Sequence, residues 1–106
     1  MIYQLKQYTP CTGKAAALRE RFIVGTLPIF ARVGIRVAAV LAPAEAPDDL
    51  WYITAFRDEA ARDAAWAAFY ADPEWKRVKA ASEVDGPVLA HKESTELNAL
   101  PDTPAL

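Results

Sequence analysis

Two segments decide the fold: Ile35-Arg36-Val37-Ala38-Ala39-Val40-Leu41 and Leu50-Trp51-Tyr52-Ile53-Thr54-Ala55-Phe56-Arg57. Both are rich in β-branched and aromatic residues and read as strands. An antiparallel sheet with one wet face alternates apolar and polar residues along each strand. The first segment instead sets Ile35, Val37, Ala39 and Leu41 on one side and Ala38 and Val40 on the other, with Arg36 its only charge. The second sets Trp51, Ile53 and Ala55 against Leu50, Tyr52, Thr54 and Phe56. Helices attached to one side of a sheet cover only one of these apolar faces. The other calls for a partner, most simply a second copy packed sheet to sheet about a twofold axis, because monomers seldom expose large contiguous apolar patches.

Between the two segments, residues 42–49 hold two prolines and three acids, a solvated hairpin loop longer than the common two to five residues. Upstream, Met1 to Tyr8 alternates, with Tyr3 and Leu5 on one side and Gln4, Lys6 and Tyr8 on the other, a strand closed by Pro10. Thr12 and Gly13 open a helix whose stripe is Leu18, Phe22, Ile29 and Val33. Gly25 and Pro28 interrupt that stripe. Proline lacks an amide donor and clashes one turn back, so a kink or break is expected near Gly25 to Leu27. Gly34 supplies the left-handed residue that ends the helix.

Downstream, Asp58 caps a helix to Ala71 whose Ala61, Ala64, Ala65, Ala68 and Phe69 permit close approach to a sheet. Asp72-Pro73-Glu74 restarts helix, with Asp as cap, Pro at the first helical position and Glu near the positive end of the dipole. Trp75 and Val78 anchor this helix, Gly86-Pro87 ends it, and Val88 to Leu97 forms the last strand. Residues 1–97 then make one domain, with 98–106 as a C-terminal tail. The order strand, helix, strand, strand, helices, strand defines an α+β fold. It is a ferredoxin-like βαββαβ sandwich, a four-stranded antiparallel sheet with helices on one face and strand order four, one, three, two.

At 106 residues the chain supports one modest core, and about 5,800 Å² of exposed surface is expected for a compact monomer of its mass. Twelve Lys and Arg against fourteen Asp and Glu give a net charge of −2 with no basic cluster, which argues against nucleic acid. No apolar run approaches the roughly 18 residues of a membrane span. The single Cys11 and single His91 argue against a disulfide framework and a metal site. Strand-like alternation begins at once, with no leader-like segment ahead of it, so a cytoplasmic location is expected. No glycine-rich phosphate loop, nucleophile elbow or metalloprotease motif is present, and no cofactor is expected.

Several pieces together resemble the NIPSNAP family, a branch of the dimeric α+β barrel proteins. They are Ile2 to Thr9 followed by Gly13-Lys14, the stretch from Leu27-Pro28 to Gly34-Ile35, the Phe56-Arg57-Asp58 step with Arg62, and above all Ala71-Asp72-Pro73-Glu74-Trp75. The family pattern commonly carries Glu and Arg where this chain has Gln4 and Lys6, and a large aromatic where it has Thr54. The resemblance implies a bacterial, compact, single-domain homodimer and little defined chemistry.

His91 is the only side chain that titrates near neutrality, and alternation puts it on one strand face with Leu89, Glu93 and Thr95. If that face and the Gln4, Lys6, Tyr8 face of the first strand both border the space between two sheets, a partly apolar cavity results. Gln4, Lys6, Tyr8, Tyr52, Thr54, His91 and Glu93 are its candidate ligand-binding residues, suited to a small apolar or aromatic molecule held by a few polar groups. The alternative is a cofactor-free enzyme of monooxygenase, isomerase or cyclase type, as found on the same dimeric barrel, with His91 and Tyr8 as candidate acid/base residues. A packed inter-sheet space would instead indicate a subunit that only forms interactions. Cys11 lacks an adjacent base and reads as incidental.

Overall fold

The computed structural model describes all 106 residues. β1 (Ile2–Pro10) leads into α1 (Ala15–Glu20), a π-helical segment (Arg21–Thr26) and α2 (Leu27–Val33). β2 (Arg36–Leu41) and β3 (Leu50–Phe56) follow, then α3 (Glu59–Ala71), α4 (Pro73–Ser82) and β4 (Leu89–Asn98). All pairings are antiparallel and the sheet order is β2-β3-β1-β4. This is the ferredoxin-like arrangement the element order implies.

The local signals act as their chemistry requires. Asp58 accepts from the Ala61 amide, and Asp72 accepts from the amides of Glu74 and Trp75, so each caps a helix. Gly34 closes α2 at φ +94°, a conformation that disfavours any side chain. The expected kink takes the form of a π-helical turn. The Leu27 amide bonds the Phe22 carbonyl, five residues back, and the Thr26 hydroxyl donates to the Arg21 carbonyl. Widening the helix here accommodates Pro28, which has no amide to give and then sits in the first turn of α2. α4 ends at Ser82, earlier than Gly86-Pro87, and a turn with Gly86 at φ +107° carries the chain to β4.

The core lies between the helices and one sheet face. Leu50, Tyr52, Thr54 and Phe56 are at most 3% exposed and point to the helices, joined there by Leu18, Phe22, Ile29, Phe30, Phe69 and Val88. Cross-strand partners share a face, and the register aligns Gln4 with Thr54, Lys6 with Tyr52 and Tyr8 with Leu50. Gln4, Lys6 and Tyr8 therefore face the helices, not an inter-sheet space. On β4 the same register aligns Tyr8 with Lys92, while His91 opposes Thr9 and Glu93 opposes Gln7. His91 and Glu93 thus occupy the face opposite to Tyr8. The reading that grouped all seven residues on one face fails here, since hydrogen-bond register, which sequence alternation leaves open, decides the matching of two strands.

β2 also departs from strict alternation. Val37 opposes Thr54 and Ala39 opposes Ile53, so Ala38 is the extra residue of a bulge. Val37 and Val40 consequently share the helix side, and Arg36, Ala39 and Leu41 share the other. That other face also presents Leu5, Trp51, Ile53 and Leu97, apolar side chains with no helix over them, while Tyr3 and Ala55 on the same face are buried.

Candidate functional site

Where the π-helical segment, α3, α4 and the start of β4 converge over Tyr8, the layers do not close, leaving a cavity of about 580 Å³. Its walls are mainly Phe22, Phe30, Phe69, Tyr70 and Trp75. A second bulge, between Thr9/Pro10 of β1 and Leu89–His91 of β4, borders the mouth. The π-turn turns Arg21 inward, so that this guanidinium stands among aromatic rings with its side chain 5% exposed. It lies 5.5 Å from the Trp75 ring centroid, and its Nη1 donates to Ser82 Oγ and Glu83 Oε2, each at 3.2 Å. Lys79 donates to the other Glu83 oxygen at 2.9 Å. Lys79 first, and Arg21 with it, hold the Glu83 carboxyl below its ordinary range.

At the floor, Tyr8 Oη and Tyr52 Oη are 2.6 Å apart, with the rings edge to face at 5.2 Å. Burial pushes the Tyr8 phenol up to about 12 and raises Tyr52 well above the usual tyrosine value, so both stay protonated at neutral pH. Burial likewise raises Tyr70.

Of the seven residues proposed from sequence, Tyr8 and His91 border this cavity, and Tyr52 lies directly behind Tyr8. The imidazole of His91 is largely exposed and its Nε2 lies 3.1 Å from Glu93 Oε1 on the outer face. Gln4 and Thr54 belong to a separate buried network. Gln4 Oε1 accepts from Trp66 Nε1 at 2.7 Å and Thr54 Oγ1 at 3.1 Å, and its Nε2 donates to Glu96 at 2.7 Å. Lys6 lies over the Trp66 ring at 4.5 Å, and burial lowers its pKa. These residues organise the helix–sheet interface beside the cavity.

Sequence reasoning missed Arg21, Tyr70, Lys79, Glu83 and Lys92. One signal was present. Arg21 falls three residues after Leu18 and beside Phe22, placing a charge on the apolar side of the first helix. Trp75 and Lys79 on α4 and Glu83 at its C-cap recur at four-residue steps, which brings them onto one side of that helix.

The fold and cavity define a class: ferredoxin-like α+β proteins with a pocket between helices and sheet. Within that class the NIPSNAP profile matches residues 3–104, and the chain belongs to the NIPSNAP family. It is similar to an uncharacterised NIPSNAP domain protein from Burkholderia xenovorans (TM-score 0.84, 21% identity, covering 99% of this chain and 100% of that one). A NIPSNAP family protein of unknown function from Agrobacterium tumefaciens superposes with a TM-score of 0.81 at 18% identity, covering 100% and 94% of the two chains. A candidate antibiotic biosynthesis monooxygenase from Nitrosomonas europaea shares the fold at a TM-score of 0.67 and 14% identity, covering 94% and 99%. No curated protein matches by sequence. No helix is long and apolar enough to cross a membrane.

Proposed function

We propose that this NIPSNAP protein is a cytoplasmic bacterial homodimer that binds a small apolar or aromatic molecule in the cavity between its helices and sheet. The observation that carries the ligand reading is an aromatic-walled cavity of about 580 Å³ with a few polar groups in fixed places, the usual composition of a small-molecule site. The homodimer reading rests on the outer sheet face with Leu5, Trp51, Ile53 and Leu41, and on a thin protomer of 47 × 35 × 18 Å. Its surface of 6443 Å² exceeds the roughly 5,800 Å² of a compact monomer of this mass.

The enzymatic alternative draws on the fold likeness to the candidate monooxygenase. In this chain Tyr8 is available as a proton donor, whereas the largely exposed His91 imidazole would have to act from the opposite face of its strand.

The test is a titration of isotope-labelled protein with N-phenyl-1-naphthylamine, a neutral apolar probe, followed by amide NMR shifts. Shifts concentrated at Tyr8, Arg21 to Thr26, Tyr70, Trp75 and Leu89 are expected. Shifts confined to Leu5, Trp51 and Ile53 would move the site to the outer sheet face, and no binding would remove the ligand reading.

A further inference from the structure

Building on that cavity, we infer that its ligand is an organic acid, an apolar body carrying a carboxylate that rests at the Tyr8 and Arg21 end. The hydroxyl protons of Tyr8 and Tyr52 set the first requirement. Tyr52 has no exposed surface, and its hydroxyl has a single partner, the hydroxyl of Tyr8. Two hydroxyls carry two protons, and one bond uses one of them. Were Tyr8 the donor, the Tyr52 proton would be stranded between Phe22 and Phe30, whose rings lie 4.7 and 5.8 Å from that of Tyr52. A buried donor without an acceptor forfeits the hydrogen bond it would make with water and is strongly disfavoured. Tyr52 therefore donates to Tyr8, and the Tyr8 O–H is left to point at whatever occupies the cavity. The burial that keeps Tyr8 protonated makes it a donor at any physiological pH. The site thus asks for an oxygen acceptor.

The charges around the cavity set the second requirement. Arg21 uses only Nη1 on Ser82 and Glu83, and no enclosed polar side-chain atom in the protein lacks a partner. Its Nε and Nη2 are therefore not fully enclosed, and Arg21 lines both this cavity and a shallower groove with Val24 and Val78 on its other side. Arg21, Lys79 and Lys92 line the site against the single carboxylate of Glu83, leaving two positive charges in excess. Arg21 is also close enough to Tyr8 to act on its ionisation. A neutral ligand would leave that excess and the free guanidinium donors unused. A carboxylate takes up both, with charge-assisted bonds from Arg21 and a neutral one from Tyr8. The acid must carry an apolar body, since Phe22, Tyr70 and Trp75 make the remaining wall.

The experiment is displacement of N-phenyl-1-naphthylamine from the intact protein by two isosteric competitors, 2-naphthoate and 2-naphthamide. Naphthoate is expected to displace the probe at a concentration at least tenfold lower. In Tyr8→Phe, and separately in a Lys79→Gln, Lys92→Gln double variant, that ratio should fall severalfold, both competitors being measured against the probe's own affinity for the same variant. Equal displacement by the two competitors, or a ratio unmoved in both variants, overturns the carboxylate inference while leaving the cavity as a binding site. Failure of the probe itself to bind overturns the cavity reading and this inference with it.

Discussion

Val78 Cγ1 stands 2.6 Å from the point a Cβ on Gly25 would occupy, so α4 meets the π-helical segment where that segment has no side chain. The absent side chain lets α4 come close to that segment, whose first residue, Arg21, bonds Ser82 and Glu83 just beyond Val78. Intrinsic propensity favours alanine over glycine in a helix by about 1 kcal/mol, whereas overpacking costs about 1–3 kcal/mol. Valine is short and stiff and cannot swing aside. Gly25→Ala is therefore expected to destabilise, by up to about 2 kcal/mol in urea denaturation. In a Val78→Ala background the same change should become neutral or stabilising; a stabilising effect in the unmodified chain would refute the close contact.

Gln4 is 5% exposed and is the sole side-chain acceptor for both Trp66 Nε1 and Thr54 Oγ1. Gln4→Met keeps the volume but strands both donors, at about 1–3 kcal/mol each. A loss of about 2–6 kcal/mol is expected by denaturant melts, with a blue-shifted indole emission as Trp66 loses its bond. A loss under about 0.5 kcal/mol, the size of an ordinary surface change, would show that the network is not closed as described.

Three carboxylates titrate below their ordinary range. Asp72 is lowered first by its two bonds from Arg32, at 2.7 and 3.1 Å. Asp58 is lowered first by the Ala61 amide, and Glu83 first by Lys79. Each folded pKa lies below the unfolded one, so the stabilisation is fully present above the unfolded value, about 4, and is lost as pH falls through the folded value. Thermal melts should be flat in this respect from neutrality to about pH 5 and fall steeply below about pH 4. Asp72→Asn retains an amide-capping oxygen but loses the charge toward Arg32, and should lower the melting temperature at neutral pH while flattening the acid limb.

Ile53 lies on the outer sheet face between Leu5 of β1 and Ala39 of β2. In the proposed homodimer that centre is buried. Light scattering behind size exclusion is expected to give twice 11.6 kDa, and Ile53→Lys should halve the mass with an unchanged far-ultraviolet spectrum. A protomer mass for the unmodified protein at micromolar concentration removes the dimer.

The fold was legible because its signals are local. Asp58 and Asp72 cap, Gly34 ends a helix, Pro28 with Gly25 distorts one, and the strand order follows from element order. The split of β2 was not, because a bulge at Ala38 is a property of its pairing with β3, which no alternation within Arg36 to Leu41 reveals. Tyr8 was identified for its side chain and position, but it was assigned to the wrong compartment. Its face and that of His91 each follow from alternation, while their relative phase depends on which residue of β4 opposes Thr9.

By itself the sequence determined the secondary structure, the sheet order, the family pattern and the presence of more apolar strand surface than one layer of helices covers. All of these rest on periodicity, capping and turn chemistry acting within a few residues. Only the tertiary structure decided that Tyr8 and Tyr52 share a hydroxyl contact, that Arg21 is turned inward by a π-turn, and that Lys79, Glu83 and Lys92 gather round them. Those groups come from β1, β3, the π-helical segment, α4 with its C-cap, and β4. Their juxtaposition is fixed by register and by helix-on-sheet packing, which act between residues distant in the chain and leave no period in the sequence.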